Sequence, residues 1–300
     1  MYEKQLEEYG FVPMNHAKPN FVKAGVSKLY TYNAAAADNP IEVDGHVAIT
    51  NEKGKVLAVH GKGYNFIDHN DLFAEFDDKI GPLSSNVLVH SDSSHDGCRV
   101  FREYVFEDHK VKLGDRDIAP RIVMFNSYDG SLAFTGMAGL YWFVCANTAV
   151  IGRDFARKRV VHRGNVDYKA VIGELVESVR TNLVGTKGYL DNLGKAVDQK
   201  FDATFPHTAA GLIEGKRAGD EFELTLRRAI DYGMPETYGT VLNVLSSWTA
   251  YGGEVIDGLN TEYLFPNTPF EPVKALPLAQ ALDRQRASVK VIDHIEKLAA

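Results

Sequence analysis

Five basic side chains, Arg153, Arg157, Lys158, Arg159 and Arg163, crowd an eleven-residue stretch that holds one acid, Asp154. Phe155 and His162 are interleaved with them. Cationic groups at this density neutralise phosphates, and an aromatic ring among them offers a face on which a base can stack. The rest of the chain is acidic, with a net charge of −7 overall. That balance argues against a protein coated in nucleic acid. One basic segment on an acidic body still localises a polyanion, because salt confines the repulsion to roughly 10 Å at 0.1 M. The opposing reading is a solvated strip whose charges pair with neighbouring acids.

A second polar cluster is Asn126-Ser127-Tyr128-Asp129-Gly130. Its side chains could hold a substrate, since they supply donors and acceptors together. Asp-Gly is also a hairpin signal, and Asn and Ser readily bond their own backbone, so a tight turn is the plainer reading. Asn147 either caps the exit from a buried strand or faces a groove. His90, Asp92, His95, Asp96 and Cys98 are metal-compatible residue types, but their spacing matches no common zinc frame. A polar hairpin loop closed by Asp96-Gly97 accounts for them. The Gly-Lys pairs at Gly61-Lys62 and Gly215-Lys216 miss the spacing and the Ser or Thr that a phosphate loop requires. Trp248 and Tyr251, three apart, share a helical face and read as core.

These residues need elements to position them. Residues 1–45, with Pro13, Pro19 and Pro40, read as an irregular arm docked through Phe11, Phe21 and Tyr30. Residues 46–300 read as one α+β domain, strand-rich over 46–150 and helical over 166–300, because no Pro/Gly/Ser-rich linker divides them. Val47–Thr50 and Val56–Val59 form a hairpin about Gly54. Asp68 or Asn70 caps a short helix to Ile80, ended by Gly81-Pro82. An antiparallel sheet spans about 47–144. After Asp167 the apolar period becomes helical, with Ile172, Leu175, Val176, Val179 and Leu183 in phase and Gly185 and Gly188 as interruptions. The expected core includes Val56, Leu57, Val123, Phe125, Phe143, Val144, Leu175, Val179 and Trp248.

Composition bounds the class. The 300 residues are 45% hydrophobic and 24% charged, as in an ordinary globular protein. No run reaches the roughly 20 apolar residues of a membrane span, and the first residues lack a signal-peptide pattern. Cys98 and Cys145 form no CxxC pair, which fits a reducing cytoplasm.

Several segments, taken in order, resemble a phage- and plasmid-borne family known as domain of unknown function 932. Val56–Val59 through Tyr64 resembles its strand ending in Gly-x-x-Tyr, followed by an Asn/His-containing helix start. Asn126–Ser131 resembles its Asn-Ser-His-Asp-Gly-Ser signature, with Tyr128 in place of His. Val144-Cys145-Ala146-Asn147 matches its Val-Cys-x-Asn. Val161–Gly164 resembles its Arg-His-Thr-Gly, and Ser247–Glu254 its Trp- and Tyr-containing segment, with Gly252 and Gly253 replacing Asn and Ala. The resemblance implies a mobile-element gene and transfers no activity. The order of helix, curved antiparallel sheet and further helices also looks like that of single-strand annealing proteins, a likeness of layout only.

The resulting expectation is a cytoplasmic accessory protein of a phage or plasmid. It binds single-stranded nucleic acid, as an annealing or recombination protein that forms a homo-oligomer on the strand. Arg153, Arg157, Lys158, Arg159 and Arg163 neutralise backbone phosphates, Phe155 and Tyr64 stack bases, and His162 belongs to the same nucleic-acid-binding set. Asn126, Ser127, Asp129, Gly130 and Asn147 are the family-motif positions. No catalytic residue, cofactor, metal site or membrane contact is assigned, and the balance leans away from an enzyme. One alternative is a non-enzymatic protein that binds a host factor, for defence evasion or host takeover. Another is a metal-dependent hydrolase or nucleotide-modifying enzyme built on Asp92, His95, Asp129 and His162.

Overall fold

A computed structural model describes residues 10–33, 36–113, 116–141, 154–251 and 278–299. The architecture is α+β with antiparallel sheets, and most of the helices lie in the C-terminal half. In chain order the strands and first helix are β1 (Val12–Pro13), β2 (Ala24–Asn33), β3 (Ala36–Asn51), β4 (Val56–Gly61), α1 (His69–Ile80), β5 (Val87–Ser94), β6 (Arg99–Phe106), β7 (Val111–Leu113), β8 (Arg116–Ser127), β9 (Phe134–Tyr141) and β10 (Asp154–Val160). Helices α2 (Tyr168–Val197), α3 (Phe205–Leu212), α4 (Lys216–Asp231), α5 (Tyr238–Tyr251) and α6 (Leu278–Ala299) follow.

One sheet has the order β2-β3-β4. The hairpin about Gly54 forms as expected. The Asn51 side-chain oxygen accepts from the backbone N–H groups of Lys53 and Lys55, and Gly54 adopts φ +76°. The larger sheet runs β1-β5-β6-β8-β9-β10, with β7 also paired to β8. Its central register sets Phe101 opposite both Asp92 and Phe125. The β5–β6 turn carries three consecutive left-handed residues, His95, Asp96 and Gly97, at φ 54°, 58° and 84°. A Cβ on Gly97 would lie 2.4 Å from Val22 Cγ2, so glycine alone fits there.

Asp68 caps α1, its Oδ1 accepting from Asn70 and Asp71 N–H. The helix buries His69, Leu72, Phe73, Phe76 and Ile80. Asp77 accepts from Arg102 at 2.9 Å and from Tyr104 at 2.7 Å. Burial raises the Asp77 carboxyl above its ordinary value even with Arg102 beside it.

Three expectations are corrected. Residues 24–33 and 36–45 are not irregular: β2 and the first part of β3 occupy them, and Tyr30 is exposed rather than docked, whereas Phe11 is buried. The basic segment is a strand, β10, and carries the sheet beyond 144. Helix α2 passes unbroken through Gly185 and Gly188, because tertiary packing of Ile172, Leu175 and Val179 outweighs the roughly 1 kcal/mol propensity cost of each glycine. Of the expected core, Val123, Phe125, Leu175, Val179 and Trp248 are buried, Leu57 is half-buried, and Val56 is exposed at a strand end. Phe143 and Val144 lie outside the described residues.

Contacts group the chain into two compact units. One comprises Met1–His109, Arg121–Ala138 and Phe155–Asn182; the other comprises Lys110–Pro120, Gly139–Asp154 and Leu183–Ala300. In the second, Phe222 packs edge-on against Trp248, and Arg284 lies over the indole while bonding both Glu221 carboxylate oxygens.

Candidate functional site

Three segments that are distant in sequence converge in the first unit: 60–69, 126–133 and 159–164. The backbone stitches two of them. Tyr64 and Arg163 form an isolated antiparallel bridge, Asn65 N–H donates to the His162 carbonyl at 3.1 Å, and Gly164 N–H donates to the Gly63 carbonyl. The third is joined through Tyr64, whose hydroxyl lies 3.0 Å from the Ser127 carbonyl and 3.2 Å from that of Tyr128. Burial, aided by the nearby Asp129 charge, raises the Tyr64 phenol well above its usual range, so it stays a donor.

Rings stack across this junction. His60 lies on Tyr64 with centroids 3.8 Å apart and planes 4° from parallel, and His162 stacks on Tyr64 at 5.2 Å. His60 Nε2 donates to the Tyr128 carbonyl at 2.6 Å. His162 Nδ1 donates to the Asn65 carbonyl at 3.1 Å, which leaves Nε2 as the acceptor nitrogen of the neutral ring. Burial lowers the His162 pKa, and the proximity of His60 adds to this, against the opposing Asn65 bond. Nε2 of His162 has no partner among the described residues.

Behind the junction lies a second stack. Tyr128 faces His69 at 3.6 Å. Its hydroxyl accepts from His69 N–H and donates to Asp68 Oδ2, each at 3.1 Å, so it is tied to the capping residue of α1. Asn126 Nδ2 donates to His69 Nδ1 at 3.1 Å and to the Ile67 carbonyl. Burial pushes the His69 pKa down to about 4, although Asp68 and the Cys98 and Gly97 carbonyls favour the charged form.

Beside the ring stack opens a cleft of about 420 Å³. Its lining includes the stacked rings of His60, Tyr64 and His162, together with Arg159 and Arg163. Both arginines are exposed and make no ion pair among the described residues. Gly130 and Ser131 complete the opening, and none of the described residues lining it is acidic.

Not every expected site residue reaches this place. Lys158 pairs with Glu174, on the opposite side of the strand from Arg159, so its charge is already matched. Asn126 and Ser127 are fully buried; Ser127 Oγ both accepts from Leu132 N–H and donates to the Leu132 carbonyl. Asp129 bonds Ser131 and Arg99. Those bonds hold its carboxyl below the usual range despite opposing burial. The turn reading holds at Gly130, which has φ +71°. Arg153 and Asn147 lie outside the described residues, as do the side chains of Phe155 and Arg157. His90 packs between Phe11 and Phe101, Asp96 pairs with Lys55, and Cys98 faces the Leu57 carbonyl, so the five metal-compatible residues do not converge. Among the described residues no group of three or more such side chains could hold a metal ion. No described helix is long and apolar enough to cross a membrane.

Sequence reasoning missed His60, Asp68 and His69 as members of the site. The one available signal was the family's Asn/His-containing helix start, which falls on His69-Asn70.

A family match covers this same stretch. Residues 56–197 match the family described as domain of unknown function (DUF932). The chain is 37% identical over 54 residues to UPF0380 protein YafZ of Escherichia coli (strain K12), and 35% identical over 54 residues to UPF0380 protein YfjQ of the same organism. Each alignment covers 18% of this chain and 20% of the relative, so the chain spans about a fifth of the length of these curated relatives. No solved structure matches the chain.

Proposed function

Because residues 56–197 carry domain of unknown function 932, whose description assigns no chemistry, we propose a function from the site itself: the chain binds single-stranded nucleic acid. The observation that carries this reading is the cleft. Two arginines without an acidic partner among the described residues line it together with stacked aromatic rings, and no described lining residue is acidic, in a chain of net charge −7. Phosphates meet the guanidinium groups, and a base meets the open side of the His60–Tyr64–His162 stack; that combination serves single strands without demanding a sequence. A duplex hides its base faces and could use the arginines alone. The finer part of the proposal is service to a phage or plasmid as an annealing or recombination protein in the cytoplasm, assembling as a homo-oligomer on the strand. It is supported by the family resemblance and the layout of sheet and helices.

The test is fluorescence anisotropy with a labelled oligothymidylate across a salt series. Affinity falls steeply with salt. Arg159→Ala and Arg163→Ala each flatten the logarithmic slope by about 0.7, the value for one phosphate contact on a single strand. Folded protein that binds nothing at about 50 mM salt overturns the proposal.

A further inference from the structure

We propose that the cleft is a discrete pocket for one nucleotide unit, with its phosphate on Arg159 and Arg163 and its base against the open side of the stack of His60, Tyr64 and His162. This rests on the single-strand reading and adds that the unit is recognised by itself, apart from the polymer.

Four observations support it. A volume of about 420 Å³, in a cleft open to solvent, falls in the size range of small-ligand sites. The cleft is cationic along the arginines and uncharged along the rings, which is the polarity of a nucleotide. His60 and His162 each fix one ring nitrogen on a backbone carbonyl, so the stack is pre-organised. His162, 7% exposed, keeps an unpartnered acceptor at Nε2. A buried acceptor in that state is costly, and a ligand donor that reaches it relieves the cost. A base N–H and a ribose O–H are both suitable donors.

The experiment is isothermal titration of the full chain with adenosine 5′-monophosphate, its 2′-deoxy form, adenosine and ribose 5-phosphate, beside an oligothymidylate. The monophosphate saturates the site, while adenosine and ribose 5-phosphate bind at least about tenfold more weakly, each lacking one half of the contacts. If the deoxy form equals the ribo form, the donor to His162 is the base; if it is weaker, the donor is the 2′-hydroxyl. Arg159→Ala weakens the monophosphate about tenfold or more. So does Gly63→Val. Gly63 lines the cleft, has open space where a Cβ would stand and does not use positive φ, so valine narrows the cleft without disturbing the fold. Oligonucleotide binding without monophosphate binding overturns the pocket and spares the single-strand reading. Monophosphate binding without oligonucleotide binding does the reverse, and silence from both discards the two together. Ribose 5-phosphate equal to the monophosphate reduces the cleft to an anion site and overturns the proposal. Both variants folded by circular dichroism, with unchanged monophosphate affinity, overturn it as well.

Discussion

Tyr128 is fully buried within a sequence of turn formers. Asn, Ser, Asp and Gly surround it, and each marks a loop by its own local hydrogen bonding. The tyrosine instead bonds partners about sixty positions away, His69 N–H and Asp68. Replacing Tyr128 with Phe keeps the ring stack on His69 and removes both bonds. The expected loss is about 1–3 kcal/mol, read as a lower urea midpoint at unchanged slope. A midpoint equal to the parent would show that water replaces the hydroxyl. The same distance explains why the site was only half legible. Tyr64, His162 and Gly130 stood out through short motifs, and Arg159 and Arg163 through charge. His60 and His69 are single histidines in a strand and a helix turn, and nothing in their neighbours shows that they will stack on tyrosines.

Elements were legible where their signals are local. The Gly54 hairpin, the Asp96-Gly97 turn and the Asp68 cap each place their determinants within a few residues. β2 and the first part of β3 were hidden by Pro40 and by apolar side chains that stay exposed: Tyr30, Tyr32 and Ile41. Proline within a run argues against a strand; here the register shifts between Thr31 and Asn33, opposite that part of β3. β10 was hidden because Arg157, Lys158 and Arg159 stand consecutively, so its sequence lacks the apolar-polar alternation that marks a strand. Helix packing in the second unit has a sharper local rule. A Cβ on Gly219 of α4 would lie 2.5 Å from the Ala210 carbonyl oxygen of α3, and a backbone atom cannot turn aside. Gly219→Ala gains helix propensity on paper yet destabilises by about 1–3 kcal/mol, seen as a lower thermal midpoint. A neutral or higher midpoint would mean that the two helices separate freely.

For the molecule as a whole, the order of strands before helices was readable from a change of period. Two buried histidines then link stability to pH. His69 titrates near 4 when folded and about 6.5 when unfolded, and His162 is shifted in the same direction. Between those values the unfolded chain binds more protons, so stability falls as pH drops through the window and levels off below about 4. Urea melts at pH 7.5 and 5 should differ by a few kcal/mol, and His69→Gln should shrink the difference. Equal melts in the parent would show that these rings are solvated. The stitch between Asn65 and His162 has a further consequence, in the time domain. The two residues are 97 positions apart, so the loop they close is among the slower contacts to find during folding. A nascent chain that has emerged only as far as β9 already has the ring of Tyr64 but neither arginine of the cleft. The cleft is therefore completed only after Arg163, near the middle of the sequence, has emerged, and a ligand that occupies it draws the equilibrium toward the finished fold instead of rescuing a partial one.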